Sequence, residues 1–314
     1  MKFIKKRKKA DEEEIIKKKI VKKISTKKSS SHLDKQKSEI KPYMDYLGIK
    51  NFKAIPLGYY LGSNKLFIIE TDFLETFVLK IFDKNAYKYS SSIEKHFSTN
   101  ARNISSLTPK INVAYEGDKE LNQFYFSDRM PGSNKNWSKI NDEEKENLVI
   151  EIAKIFFKVH TYTSKKVLRE IVYGKVSSRK KSWVEFIENA VIAKLTRMKS
   201  AGLDEDKCRK FEKYSENILF DLKTTIIPPT LLHGSICLNK DKILRSVLFV
   251  GNKVSAILNS EESIYGDKLW DLAVFYKQVL VKDENLEKLF FREYGKLRQS
   301  DKERLDFYYK LQIE

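Results

Sequence analysis

The spacing of apolar residues changes once along this chain, and that change limits the fold more than any other feature. From Asn51 to Phe82, short runs rich in Ile, Phe, Tyr, Leu and Val are interrupted by Gly58, by Gly62-Ser63-Asn64 and by the polar stretch Glu70 to Glu75. Period-two strands joined by turns fit this pattern, with Leu66 to Ile69 and Phe77 to Phe82 forming a hairpin. A helix is expected over 89–107, ending before Pro109, followed by strands at 111–115 and 123–127. After Met130-Pro131-Gly132 the period becomes helical. Asn141 is an expected N-cap with Glu144 three residues later, and Leu148, Ile152, Ile155, Phe156 and Val159 share one face. A second such run, Phe211, Tyr214, Ile218 and Leu222, ends before Pro228-Pro229. Two short strands, 246–250 and 254–258, flank a Gly251-Asn252 turn, and helices finish the chain. The predicted class is α+β and two-lobed: a small antiparallel β-rich lobe over 43–130 and a larger helical lobe over 131–314.

Residues 1–42 stand apart. They carry 16 Lys/Arg against 6 Asp/Glu, a net +10, which leaves +8 of the total +18 for the other 272 residues. Blocks of like charge at Lys5–Lys9, Asp11–Glu14 and Lys17–Lys19 precede a polar stretch, so the segment is expected to be a disordered basic extension. Within it, Glu12 to Lys23 would place Ile15, Ile16, Ile20 and Val21 on one side of a helix formed against a partner. The segment is expected to contact polyanions weakly, either nucleic acid or an anionic membrane, through lysine charge alone, since Phe3 is its only aromatic residue. No apolar run approaches the roughly 20 residues of a membrane span, and no apolar stretch of signal-peptide type begins the chain, so an intracellular protein is expected. Cys208 and Cys237 form neither a CxxC pair nor a disulfide framework.

The order of elements, a β-rich lobe and then a helical lobe with one small hairpin, is that of protein-kinase-like folds. Leu231-Leu232-His233-Gly234-Ser235, then Ala256-Ile257-Leu258-Asn259, then Gly266-Asp267 and Asp271-Leu272-Ala273 resemble the signature of the aminoglycoside phosphotransferase and choline kinase-like family. Upstream, Gly62-Ser63-Asn64 resembles its nucleotide loop and Val78-Leu79-Lys80 its phosphate-binding lysine strand; the likeness covers roughly 50–290. It implies an ATP site, with or without magnesium, at which Ser63 and Asn64 cover the phosphates. Lys80 would approach them, and Glu94 on the next helix would hold Lys80. It implies scaffold roles for His233, Asp267 and Asp271.

The chemistry departs from that pattern. The family's base is an Asp where this chain has Ser235, a poor base near neutral pH. Its metal-binding Asn corresponds to Ser246, if about six extra residues separate the two serines, and its metal-binding Asp corresponds to Asn259, which has no negative charge for a magnesium ion. The leading expectation is therefore a catalytically degenerate, pseudokinase-like member with a binding or structural role and an unidentified protein partner or assembly. The alternatives are an active small-molecule phosphotransferase using displaced carboxylates, Asp241 and Glu261, and a polyanion-docking protein acting through its tail. Asp241, Glu261 and Glu262 otherwise read as solvated loop acids.

Overall fold

The structure, a computed structural model, describes residues 37–60, 64–85, 90–103, 105–161, 182–244 and 246–313. The expected helix over Glu12–Lys23 and loop residues Gly62 and Ser63 lie outside these ranges.

The small lobe is one antiparallel sheet of β1 (Phe52–Tyr60), β2 (Asn64–Thr71), β3 (Thr76–Ile81), β4 (Ile111–Tyr115) and β5 (Phe124–Asp128), in the order β1-β2-β3-β5-β4. The predicted hairpin is β2–β3, in a register that pairs Leu66 with Lys80. On its other side Lys80 pairs with Tyr125 of β5, so the lysine stands on the central strand.

One expected boundary shifts. Residues 37–46 form a helix, α1, whose Ile40, Tyr43 and Met44 are buried against Phe67, Ile69, Leu79 and Phe124 of the sheet. The boundary drawn at Pro42 falls inside this helix, so the packed lobe includes residues from 37 onward. The apolar positions are separated by three and one residues, too few to stand out among the flanking lysines of the sequence.

α2 (Ser90–Arg102) is shorter than the expected 89–107. Beyond it the chain folds back along the helix: Arg102 donates to the Thr108 carbonyl at 3.0 Å and the Thr108 hydroxyl to the Ser98 carbonyl at 3.1 Å. α2 touches both lobes, with buried Glu94 facing the sheet and Phe97 belonging to the helical core.

The chain crosses to the helical lobe at Gly132, whose φ of +109° is a conformation that L side chains rarely adopt. A Cβ there would stand 2.7 Å from the Phe249 carbonyl oxygen, because the crossing segment forms a bridge between Ser133 and Phe249. α3 (Asp142–His160) begins with the expected capping box: Asn141 accepts from the Glu144 amide while Glu144 accepts from the Asn141 amide. Its Phe156 packs at 6.2 Å from Phe275 of α6 (Lys268–Gln278) and 6.3 Å from Phe290 of α7 (Glu284–Tyr294). Around this core lie α4 (Trp183–Ser200), α5 (Glu205–Thr224), with Ile218 and Leu222 buried, and α8 (Gln299–Gln312). The predicted hairpin is β7 (Val247–Val250) with β8 (Lys253–Ile257). A further pair, β6 (Thr230–Leu232) with β9 (Ile264–Gly266), has three residues in each strand. Runs that short carry no readable period.

Candidate functional site

Lys80 is the centre of the cleft between the lobes. Its side chain is 1% exposed, and a cation in so dry a place must be paired. It is held by three groups from two elements: Glu94 of α2, Glu261 at 2.7 Å, and the Asn259 carboxamide oxygen at 3.4 Å. The two carboxylates respond in opposite directions. Burial pushes Glu94 well above the usual carboxylate range, against the pull of Lys80 and with Glu261 adding to the rise. For Glu261 burial also pushes upward, but Lys80 and a hydrogen bond from Glu94 outweigh it and hold its carboxyl at about 2. Burial and pairing thus drive the two carboxyl groups apart, with Glu94 the one that binds its proton more tightly and Glu261 the one held ionised beside the Lys80 ammonium.

Backbone geometry at one residue brings Glu261 there. Asn259 has φ of +61°, a left-handed conformation that Asn tolerates better than most residues, and it turns the chain after β8 so that Glu261 points back at the sheet. Glu261 is the residue whose surroundings differ most from a reading as a solvated loop acid, since its side chain is 17% exposed.

The segment after β6 forms the opposite wall. Asp271 of α6 accepts from the amides of His233 and Gly234, each at 2.6 Å, and from His160 Nε2 at 3.2 Å. Burial pushes its carboxyl upward, but these hydrogen bonds outweigh burial and lower it below the ordinary value. Burial lowers His233 from the ordinary imidazole range, so the ring is neutral near pH 7. Nε2 donates to the Leu258 carbonyl at 2.9 Å, which leaves Nδ1 as the acceptor for the Ser235 amide at 3.3 Å. Gly234 at φ +89° fits a place where a Cβ would come within 2.5 Å of the Glu262 carbonyl oxygen. Asp267 caps α6 and is held by Arg304 at 3.1 Å and the Tyr308 hydroxyl at 3.0 Å.

Ser235 spends its proton on structure: its hydroxyl donates to the Asn259 carbonyl at 2.7 Å. The Ser246 hydroxyl in turn donates to the Ser235 carbonyl at 3.0 Å, and the two hydroxyl oxygens are 3.4 Å apart. Ser235, Ser246 and Asn259 thus come together at one end of the cleft. The extra residues between the serines close into a turn of their own, in which the Asn239 side chain accepts from the amides of Asp241 and Ile243. Asp241 is exposed on that turn, where its carbonyl accepts from Asn136, and it does not line the cleft cavity. The structure does not bring it to Ser235 as a replacement carboxylate. Asn64 is buried at the start of β2, with its Oδ1 committed to the Asp83 amide at 2.9 Å, and Ser63 lies outside the described residues.

A cavity of about 690 Å³ opens beside Ser235, Asn259 and Glu261, with Phe186, Ile236 and Trp270 on its apolar wall. Cys237 also lines it; burial pushes its thiol up to about 11, so it is not ionised near neutral pH. No group of His, Cys, Asp and Glu able to hold a metal ion occurs among the described residues. Of the carboxylates that line the cavity, Glu261 is already paired with Lys80, Asp271 is engaged by the His233 and Gly234 amides and by His160, and Glu262 is exposed, while Asn259, Ser235 and Ser246 are neutral. This donor set does not fit a magnesium–nucleotide site. The pairing of Glu261, the clamp by His160 and the bracing by Arg304 and Tyr308 had no sequence signal, because each joins residues far apart in the chain.

The sequence matches no protein-family model and no curated protein. Solved structures do match. Aminoglycoside phosphotransferase APH(4)-Ia is 14% identical, with a TM-score of 0.64 over 88% of this chain and 88% of that one. A thermostable mutant of it, in ternary complex with AMP-PNP and hygromycin B, is 15% identical with a TM-score of 0.62 over 86% of this chain and 87% of that one. An aminoglycoside-3'-phosphotransferase of type VIII is 14% identical with a TM-score of 0.54 over 83% of this chain and 93% of that one. At such identities the likeness is one of architecture: this chain has the two-lobed fold of the aminoglycoside phosphotransferases.

Proposed function

We propose that the chain is a catalytically degenerate phosphotransferase-fold protein with a binding or structural role. One observation carries the reading. The lysine that would meet nucleotide phosphates in a fold of this kind is already paired with Glu94 and Glu261, and Glu261 is also part of the cavity wall. Phosphoryl transfer depends on positioning and on neutralising the charge of the transferred group. Here the cation is paired, the residues at the expected metal-ligand positions are neutral, and the hydroxyl at the base position donates its hydrogen bond to a backbone carbonyl. Each feature alone weakens catalysis; together they remove the base, the metal and the cation.

A second reading has one observation in its favour: Glu261, a displaced carboxylate, lies within the cleft rather than in solvent. An active enzyme could use it as a replacement ligand. Incubation of the purified protein with labelled ATP, magnesium, and hygromycin B or choline as acceptor separates the two. Loss of a positioned base alone lowers the rate by roughly 10² to 10⁴-fold, and transfer no faster than in a heat-inactivated control is expected. Magnesium-dependent turnover that disappears on Glu261→Ala would overturn the proposal and establish the second reading.

A further inference from the structure

The turn between β2 and β3 carries two of the most exposed apolar side chains of the described residues, Phe73 at 85% and Leu74 at 94%. The turn is ordered by hydrogen bonds of 3.1 Å from the Thr71 amide to Glu75 and from the Leu74 amide to Thr71. Leu74 sits at φ +59°, a conformation that costs a branched, non-glycine residue on the order of 1 kcal/mol. A solvent-facing turn has no need of two large apolar residues in succession, and none of a strained leucine.

Leu74 shares a surface depression with Lys37, Lys50, Phe52 and Lys53, and the Lys37 ammonium lies 5.6 Å from the Phe52 ring centre. Lys37 is also where the 36 preceding residues join the lobe, and these carry 14 Lys/Arg against 5 Asp/Glu, a net +9. The basic segment is therefore attached at the same end of the small lobe as the apolar tip. Around the tip itself the charges are mixed: Glu70 is paired with Lys53 at 3.0 Å, while Asp72 and Glu75 add negative charge. With Lys37, Lys50 and Lys53 set against Glu70, Asp72 and Glu75, the tip has no net charge to draw it to an anionic surface, and the tail alone would hold one only by screened charge.

The geometry points to an anionic lipid bilayer as the occupant of this face, held by two signals at once: Phe73 and Leu74 enter the headgroup region, and the lysines before residue 37 supply the electrostatic attraction. Basic residues near such a surface add attraction that salt screens, and stable attachment takes a second, apolar signal. A nucleic acid fits less well, since Phe73 offers a single ring for base stacking, Leu74 offers none, and Lys53 beside them is already paired with Glu70.

Co-sedimentation of the full chain with vesicles tests this. Binding is expected to phosphatidylcholine vesicles containing phosphatidylserine, with little to phosphatidylcholine alone and a steep loss at high salt. Phe73→Ser with Leu74→Ser should weaken partitioning roughly tenfold or more, as removal of two inserted side chains requires, without moving the melting temperature. Replacing Lys5, Lys6, Lys8 and Lys9 by Gln should weaken it independently. Equal binding to neutral vesicles, or partitioning unchanged by the double substitution, would overturn the proposal. So would tighter binding to duplex DNA than to the anionic vesicles, unaffected by the tip.

Discussion

Lys80→Met should be among the most destabilising single changes in the chain, costing about 3–5 kcal/mol in urea unfolding, because it leaves an ionised carboxylate in a buried site without its cation. The lysine cluster would become two carboxyl groups sharing a dry space. Burial would then raise both above their unfolded values. A group raised in the folded state contributes stability below its unfolded value and loses it as pH rises through its folded value, so the deficit should shrink as pH falls toward 4.5. Replacing all three groups, in Lys80→Met with Glu94→Leu and Glu261→Ala, should recover most of the loss, since a well-packed apolar substitute for a buried ion pair is often neutral. A single-substitution cost below about 1 kcal/mol would mean that water reaches the cluster freely.

Asp271→Ala should be comparably severe. The carboxylate accepts from the amides of His233 and Gly234 and from His160, so its removal leaves three buried donors unpaired. At about 1–3 kcal/mol for each unsatisfied group, and allowing for relaxation, a loss of about 3–5 kcal/mol is expected. Asp271→Asn should retain part of this stability, because the amide oxygen can still accept while its NH2 group meets a donor. Chemical-denaturant unfolding of the two variants side by side measures the difference. Equal and small losses would remove the clamp from the account.

The parts of this site that were legible in the sequence are those fixed by local pattern. Lys80 is readable because Val78-Leu79-Lys80-Ile81 is an apolar strand with one charge in it, and Glu94 because it falls on the following helix. Asn141 and Glu144 announce α3 through the chemistry of a capping box. Ser235, Ser246 and Asn259 are found because motif spacing counts residues, and an insertion can be inferred where the count fails. Glu261 is different in kind. Whether a loop acid faces water or a buried lysine depends on the sign of one backbone angle at Asn259 and on the docking of the two lobes, and neither is written in a local period. Asp271 is picked out by the Asp271-Leu272-Ala273 motif, but its partners are not, because they come from α3 and from the segment after β6. Helix α1 leaves no such signal, because its three core residues sit among lysines and the sheet they pack on lies later in the chain.

The proposed degeneracy rests on Glu261, which pairs with Lys80 at 2.7 Å and also lines the cleft cavity. ATP titration followed by thermal shift, with and without magnesium, on the natural chain and on Glu261→Ala, measures this directly. Removing Glu261 leaves Glu94 as the remaining carboxyl partner of Lys80 and takes away the carboxylate that stands on the cavity wall. The account predicts little or no stabilisation of the natural chain by ATP and a gain of roughly tenfold or more in affinity on Glu261→Ala, largely independent of magnesium; at ligand concentrations about 100 times the dissociation constant that variant should gain about 2.7 kcal/mol. Magnesium-dependent binding of ATP to the natural chain that Glu261→Ala weakens would contradict it, because the carboxylate would then be a ligand of the bound metal and not a substitute for the phosphate.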